Sequence, residues 1–404
     1  YEAVFQTLQS NLKKPDSKTP FYHVRPAPKF DGVYLWDSAF IALIWMHKNP
    51  QTAEQVILSV LHGQQPDGRI PHVINVFGTS EWTQPPVLSW ATAKIASHSE
   101  NLDFIRASYD KLVKYHSWLM SSRRLSNGLF YWEHAYESGI DNTPRFGTRD
   151  ESKYIDTKLV AAVDLSSYMV MDARALAKLA GMQGLTEDAA RFEKEADEIS
   201  ALIRQHLWDE TTGYFYDLDT VTGQMIAIPT IASFFPMAAK AATPEQAARL
   251  VTHIENPAEF GTQIPFPTVA RNHPTFEKDC WRGPVWINTA YLGIQGLKEY
   301  GYGDLAKQTS YRLVDGVYKT WNNTRKFVEY YDPERFDFDK LTRKKGIGFL
   351  DFFSGSKSFK KFLEHLFLKQ IYLGTKPVDG FVGWTGLVNN LVVEELDEPN
   401  QPNQ

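Results

Sequence analysis

The sequence predicts an all-α fold, an (α/α)6 barrel in which six inner helices alternate with six outer helices around a closed ring. Two observations predict it. Segments that are apolar on nearly all sides recur along the chain, and most are followed by a more charged, amphipathic segment. Helices of the first kind are expected to be buried, whereas one-sided helices lie outside them. The alternation therefore predicts two concentric layers of helices with long loops at the rim.

The six inner helices are predicted to begin near residues 37, 86, 164, 230, 284 and 382. Successive starts are 49, 78, 66, 54 and 98 residues apart, whereas a solenoid would repeat at a tighter and more uniform period. The uneven spacing favours a closed ring over an open array.

Clear amphipathic stretches predict outer helices over 51–62, 103–120, 187–206 and 304–318. The whole chain, residues 1–404, is expected to form one domain on this barrel, and no separate second domain is predicted.

Composition limits the classes of function. The 404 residues are 43% hydrophobic and 23% charged, and the net charge of −5 gives no electrostatic reason to expect nucleic acid or an anionic membrane as a partner. No apolar run approaches the roughly 18 residues of a spanning helix. A soluble protein is therefore expected, with cytoplasm and periplasm both open as compartments, and the oligomeric state is undetermined.

Cys280 is the single cysteine, so a disulfide framework and a multi-cysteine metal site are excluded. The histidines are scattered without ligand spacing, and no metal or organic cofactor is expected.

Aromatic residues make up 14% of the chain and include 11 Trp. They fit either a large aromatic core or platforms for sugar rings, whose C–H faces are apolar. Composition alone favours the core.

The predicted starts of the inner helices point to one mouth of the barrel. Free N–H groups at helix N-termini suit hydroxylated or anionic ligands there. The two longest spacings, 86 to 164 and 284 to 382, mark the longest rim loops, and long loops in compact domains are usually functional.

Each of these two loops carries an acid in an aromatic setting. Asp141 lies near Trp132 and Tyr136, and Glu329 precedes Tyr330. Two carboxylates across a pocket are the minimum equipment for glycoside hydrolysis, where one protonates the leaving oxygen and the other activates water or attacks carbon. Position alone favours the alternative, in which Asp141 caps a turn and Glu329 lies on the surface.

Five motifs resemble, in the same order, those of glycoside hydrolase family 63 and the trehalases of the same clan. They are YLWDS from Tyr34, TQPP from Thr83, ESGID from Glu137, CWRGPVWIN from Cys280 and EYYDP from Glu329. The matches run from about residue 31 to 388. The chain is most similar to the short members of the family that hydrolyse mannosylglycerate and glucosylglycerate.

The resemblance implies roles for individual residues. Asp141 matches the general acid and Glu329 the general base of an inverting reaction, for which the two carboxyl groups should lie roughly 6.5–9.5 Å apart. For Asp37 a helix N-cap is the competing interpretation. The positions expected to bind the sugar are Tyr34, Trp36, Asp37, Gln84, Trp281, Arg282 and Trp286.

The sequence departs from the family pattern at three places. Ile140 stands where trehalases have Trp, which argues against trehalose as the substrate. Cys280 stands where relatives often have Tyr. The short turn expected after Pro333 is replaced by an insertion at 334–379, which contains the basic run Arg343-Lys344-Lys345 and an apolar and basic helix predicted near 358–370. The insertion is either a lid or an added outer helix.

The leading hypothesis is an inverting exo-glycosidase that acts on a small saccharide or glycoside, an α-glucoside or α-mannoside such as glucosylglycerate, mannosylglycerate or a short α-gluco-oligosaccharide. The alternatives are a sugar epimerase or isomerase on the same barrel and a non-catalytic sugar-binding barrel. A glycerate aglycone would need a cation, for which Arg69, Arg145 and Arg149 are unranked candidates.

Overall fold

A computed structural model describes residues 1–16, 19–75, 78–147, 156–343 and 375–397. Its helices alternate between buried and one-sided along the chain. In order they are α1 (Glu2–Asn11), α2 (Leu35–Met46), α3 (Pro50–His62), α4 (Leu88–Ser99), α5 (Leu102–Ser122), α6 (Val163–Met182), α7 (Thr186–His206), α8 (Phe235–Ala238), α9 (Pro244–Glu255), α10 (Ile287–Glu299), α11 (Gly303–Thr324) and α12 (Leu387–Asp397).

The inner layer is a closed ring. Helices α2, α4, α6, α8, α10 and α12 contact one another in that order, and α12 contacts α2 again. Every residue of α2 is buried, whereas α7 buries only a stripe of its residues. The prediction of an (α/α)6 barrel is confirmed, because helices that are apolar all round fill the inner layer.

The outer layer follows the predicted amphipathic stretches. Helices α3, α5 and α7 coincide with them to within two residues at either end, and α11 continues to Thr324. Helices α1 and α9 add to this layer at positions for which the sequence analysis gave no range.

The fourth inner helix is much shorter than the others. A 3-10 turn at Ile231–Phe234 leads into α8, which ends after one turn. Lys240 adopts a left-handed conformation (φ 57°), and the N–H of Ala241 donates back to the carbonyl of Pro236. This left-handed residue terminates the helix.

Short strands decorate the rim. They are β1 (Leu12–Lys13), β2 (His23–Val24), β3 (Val33–Tyr34), β4 (Val73–Asn75), β5 (Gly78–Thr79), β6 (Val160–Ala161), β7 (Trp208–Asp209), β8 (Tyr214–Phe215), β9 (Asp217–Asp219) and β10 (Met225–Ile226). The described pairs are antiparallel, in the sheets β1-β2, β3-β4-β5, β6-β9-β10 and β7-β8. Strands of two or three residues are too short to leave an alternating pattern in a sequence.

Part of the predicted insertion at 334–379 is described. Its two described ends meet where the N–H of Arg343 donates to the carbonyl of Thr375 at 2.9 Å. Residues 344–374, including the helix predicted near 358–370, lie outside the described residues. None of the helices in the described ranges is long and apolar enough to cross a membrane.

Candidate active site

One pocket at the rim collects eight of the nine residues predicted for the site. The empty space within it, counted out to its mouth, is about 520 Å³. The predicted residues that line it are Tyr34, Trp36, Asp37, Gln84, Asp141, Trp281, Trp286 and Glu329. The separation of the Asp141 and Glu329 carboxyl groups stays a prediction.

The start of α2 places three of these side chains. Tyr34 ends β3 and occupies the N-cap position without a side-chain cap, so Asp37 is the third helical residue and its interpretation as the N-cap is wrong. The Oε1 of Gln84 accepts the hydrogen bond of the Trp36 N–H at 3.2 Å. Gln84 therefore takes over a capping role, and the Asp37 carboxyl is left to line the pocket.

Stacked indoles form one wall of the pocket. Trp281 and Trp286 stack with ring centroids 3.6 Å apart and planes inclined by 9°. Trp36 lies 6.0 Å from Trp281, and Trp384 lies 5.6 Å from Trp36 and 5.3 Å from Trp286. Such a wall offers apolar faces of the kind that sugar rings contact.

The loop that carries Asp141 turns sharply at Gly139. This glycine follows a 3-10 turn at Ala135–Ser138 and has φ 70°, in the left-handed region that favours glycine. A Cβ atom there would meet the Trp36 ring at 2.6 Å. The glycine is therefore required twice, by the turn and by the close approach of the indole.

Glu137, the other acid of the loop, is fully engaged within the protein. Arg123 donates to its two carboxylate oxygens at 2.8 and 2.9 Å, and the N–H groups of Thr83 and Glu133 donate to the same carboxylate. Its side chain is completely buried. Glu137 thus anchors the loop.

Asn142 connects the Asp141 loop to the CWRGP segment. Its amide donates to Asp279 at 3.0 Å, and its Oδ1 accepts from the N–H of Trp281 at 2.9 Å. Arg282, predicted to bind the sugar, donates to Glu277 and to the carbonyl of Asn142. Arg282 is not among the residues that line the pocket.

Two further residues of the Asp141 loop face the protein interior. Ile140 is buried and does not line the pocket. Arg145 makes two hydrogen bonds to Asp217, at 2.9 and 2.8 Å, and one to Asp164 at 2.5 Å. These ion pairs occupy Arg145, which is therefore not the cation for a glycerate group. Arg149 lies outside the described residues.

The loop that carries Glu329 is held on both sides. The N–H of Glu329 donates to the carbonyl of Val378, and its own carbonyl accepts from the Trp384 indole at 2.9 Å. Arg343 donates to both carboxylate oxygens, with Nε at 2.9 Å and Nη2 at 3.3 Å. Glu329 is 3% exposed, so the surface position that the sequence left open is wrong.

Three carboxyl groups share this pocket, and their charges interact. Burial raises the pKa of Asp37 well above its usual range, and the nearby charges of Glu329 and Asp141 raise it further. Asp37 thus gains a proton more readily than an ordinary Asp carboxyl, because burial and the two neighbouring charges both oppose its ionisation.

His134 borders the Asp141 loop as a neutral imidazole. Burial lowers the pKa of His134 to about 4, against the opposing influence of the Asp141 charge. Its ring stacks on Trp82 at 4.6 Å, and its Nδ1 accepts from the N–H of Tyr136 at 3.2 Å. The ring proton is therefore assigned to Nε2.

Seven lining residues were not predicted to belong to the site: Phe30, His72, Tyr136, Gly139, Arg343, Phe381 and Trp384. Tyr136 and Trp384 stand inside segments that the sequence analysis had singled out, and the basic run at Arg343 signalled a charge without its partner. Within the described part of the chain, no group of three His, Cys, Asp or Glu residues could hold a metal ion.

The chain matches the family model of the mannosylglycerate hydrolase MGH1-like glycoside hydrolase domain over residues 31–345. The mannosylglycerate hydrolase of Thermus thermophilus is 26% identical over 375 residues, an alignment that covers 74% of this chain and 88% of that one.

Solved structures agree in fold. A mannosylglycerate hydrolase from Thermus thermophilus, a family 63 glycoside hydrolase in complex with Tris and D-glycerate, has a TM-score of 0.70 at 25% identity, covering 86% of this chain and 96% of that one. The neutral trehalase of Saccharomyces cerevisiae has a TM-score of 0.65 at 16% identity, covering 92% and 80%, and supports the fold alone.

Proposed function

Because the chain belongs to the mannosylglycerate hydrolase MGH1-like family of glycoside hydrolases, we propose that it is an inverting exo-glycosidase of a small α-glucoside or α-mannoside. The observation that carries the proposal is the convergence of Asp141 and Glu329 on one pocket from two different rim loops. The two acids are 188 positions apart in the sequence (329 − 141), and each lies within a motif that matches the family.

Asp141 is the general acid of the proposed mechanism. It donates its proton to the glycosidic oxygen as the bond from that oxygen to the anomeric carbon breaks. Glu329 is the general base, which takes a proton from a water molecule as the water oxygen attacks the anomeric carbon from the opposite face. Inversion follows because the new bond forms opposite the old one.

Asp37 and the indole wall hold the sugar in this proposal. A protonated Asp37 can both donate and accept hydrogen bonds to sugar hydroxyl groups, and it adds no negative charge beside Glu329. Trp36, Trp281 and Trp286 supply apolar faces for the ring. Gln84 completes the set, with its amide N–H groups available while Oε1 caps α2.

The aglycone is proposed from the relatives. The Thermus thermophilus structure contains D-glycerate, so mannosylglycerate is the first substrate to test and glucosylglycerate the second. Short α-gluco-oligosaccharides and trehalose complete the series.

The test is a panel of α-mannosides and α-glucosides followed by NMR of the first-formed anomer. Release of the β-anomer from an α-glycoside is the expected result. Release of the α-anomer would contradict inversion, and an isomerised sugar without hydrolysis would indicate an epimerase instead. No turnover of any glycoside, with sugar binding retained, would indicate a non-catalytic barrel.

Variants assign the two acids. Asp141→Asn and Glu329→Gln are each expected to lower kcat by a factor of about 100 to 10,000, the usual contribution of a general acid or base. A glycoside with an acidic phenol as leaving group needs no protonation, so it should restore turnover in Asp141→Asn but not in Glu329→Gln. Asp110→Asn, on the exposed face of α5, is the control and should match the unaltered protein.

A further inference from the structure

Arg343 lies where the described part of the insertion reaches the pocket. Its guanidinium approaches both oxygens of Glu329, and its backbone N–H is bonded to Thr375. We propose that Arg343 is a positioning residue for the base, which fixes the orientation of the Glu329 carboxylate and balances its charge. This inference rests on the function proposed above, because it assigns Glu329 as the base.

Both partners of the ion pair between Glu329 and Arg343 are buried. Glu329 is 3% exposed and Arg343 is 5% exposed. An ionised carboxylate with so little access to water is costly unless a cation and hydrogen bonds satisfy it. The nearby carboxyl of Asp37 adds unfavourable charge whenever it ionises, and Arg343 supplies the opposing charge at hydrogen-bonding distance.

The hydrogen bonds described for Glu329 leave acceptor positions on its carboxylate unfilled. Arg343 donates one hydrogen bond to each oxygen of Glu329, and the N–H of Val378 approaches Oε2 at 3.4 Å. A carboxylate has about four lone-pair positions, so a two-point contact with arginine does not exhaust them. The same contact prevents the carboxylate from rotating, which aligns the remaining lone pairs with the attacking water.

The backbone before Arg343 is held in place by the CWRGP side of the pocket. The carbonyl of Thr342 accepts hydrogen bonds from the N–H of Cys280 at 3.0 Å and from the hydroxyl of Tyr330 at 2.8 Å. The N–H of Thr342 donates to the carbonyl of Lys278. The hydroxyl of Thr342 donates to Asp279 at 2.6 Å. Arg343 therefore starts from a fixed point on the pocket wall.

Asp279 extends this connection to the acid. One of its oxygens accepts from Thr342, and the other accepts from the amide of Asn142, the residue after Asp141. Asp279 is itself buried, at 2% exposure. The acid loop and the Arg343 segment are thus tied to the same carboxylate, which couples the position of the base to that of the acid.

The test compares Arg343→Gln and Arg343→Lys with Arg335→Gln. Arg335 belongs to the same insertion but forms an exposed ion pair with Asp337, so it is a matched control. Arg343→Gln is expected to lower kcat by on the order of 100-fold with a smaller change in KM, because a misplaced base slows the chemical step. Arg343→Lys restores charge without the two-point contact and should recover part of the loss.

The pH profile distinguishes positioning from general structural support. Without the cation, the acidic limb of the kcat profile should move to higher pH in Arg343→Gln, and less in Arg343→Lys. In Glu329→Gln, which has no base to orient, adding Arg343→Gln should change kcat less than about twofold.

A measurement independent of turnover separates this inference from the proposed function. Difference infrared titration of each protein against its Glu329→Gln counterpart follows the protonation of Glu329 directly. A higher midpoint in Arg343→Gln supports the inference even if no glycoside of the panel is hydrolysed. The inference would be overturned if Arg343→Gln left the midpoint unchanged, or if it lowered kcat by the same factor in the unaltered protein and in Glu329→Gln.

Discussion

Asp141 and Glu137 are four residues apart, but their side chains have different surroundings. Glu137 is paired with Arg123 and accepts two backbone N–H groups, whereas Asp141 lines the pocket. The difference arises at Gly139, whose left-handed conformation reverses the chain between the two acids. Asp141 was predicted as the acid from its motif, and of the two acids it alone lines the pocket.

Gly139 allows a sharp prediction at the residue scale. Gly139 and Gly223 both have φ near 70°. Because an alanine is strained in this left-handed conformation, Gly139→Ala and Gly223→Ala should each lower the free energy of unfolding by about 1 to 2 kcal/mol. Only at Gly139 would the new Cβ meet a ring, that of Trp36, since nothing lies within 4 Å of the Gly223 position. A further loss of about 1 to 3 kcal/mol is expected there.

The measurements are chemical denaturation and kcat. Gly139→Ala should lower kcat by on the order of 100-fold through displacement of Asp141 and Trp36, while Gly223→Ala retains the activity. Equal stability losses in the two variants would contradict the close approach of the indole.

At the scale of elements, His116 joins three helices. It lies on α5 and bonds Asp172 of α6 at 2.7 Å and Glu195 of α7 at 2.5 Å. Burial lowers its pKa, but the hydrogen bonds and charges of the two acids outweigh burial and raise the pKa of His116 to about 9. The imidazolium therefore clamps an inner helix between two outer ones.

This clamp predicts a pH dependence of stability. Because the pKa of His116 is raised above its unfolded value of about 6.5, its contribution is fully present below that pH and is lost as the pH rises through about 9. The free energy of unfolding should fall by at most about 3 kcal/mol across this range.

The check is denaturant unfolding between pH 6 and 10. His116→Gln should have a lower free energy of unfolding than the unaltered protein at pH 6, and that free energy should change little up to pH 10. His62→Gln, on the exposed side of α3, should show the same pH dependence as the unaltered protein. A pH dependence of the same size in His116→Gln would rule out the clamp as its origin.

Two residues predicted to bind the sugar, both on loops between helices, make hydrogen bonds that hold the protein structure. Gln84 was predicted to bind the sugar, and its Oε1 also caps α2. Arg282 was predicted to bind the sugar, and it pairs with Glu277 beneath the Asp141 loop. A motif identifies such residues as members of the site but does not say which way each side chain points.

At the scale of the molecule, the first and last inner helices close the ring. The amide of Asn390 in α12 donates to the carbonyl of Leu43 in α2 at 2.9 Å, and Asn389 donates to the carbonyl of Tyr1. Nearly all of the buried apolar residues of the described chain form one continuous cluster. These contacts join the two ends of the sequence, and they lead us to expect that residues 1–404 behave as one domain.

The expected result is a single unfolding transition. Tryptophan fluorescence, which reports on 11 indoles including the four of the pocket wall, and far-UV circular dichroism, which reports on the helices of the barrel, should have coincident midpoints in urea. Asn390→Ala should lower both midpoints together, by about 1 kcal/mol in the free energy of unfolding. Separate midpoints would indicate two cooperative units and contradict the single-domain prediction.

Hydrophobic patterning and short motifs were enough to predict the barrel and the identity of most of the pocket. Hydrophobic periodicity is local, so it distinguishes all-buried α2 from one-sided α7 without knowledge of their neighbours. Short motifs likewise located Asp141 and Glu329 because residue types at fixed spacing are visible in one dimension.

Which charges meet depends on how the chain folds. Asn142 and Asp279 are 137 residues apart, and Arg145 reaches Asp217 across 72 residues. Arg343 was visible only as part of a basic run, and its pairing with Glu329 depends on how two rim loops return to the barrel. The energy of a buried ion pair depends on distance and exposure to water, and neither quantity exists until the chain has folded.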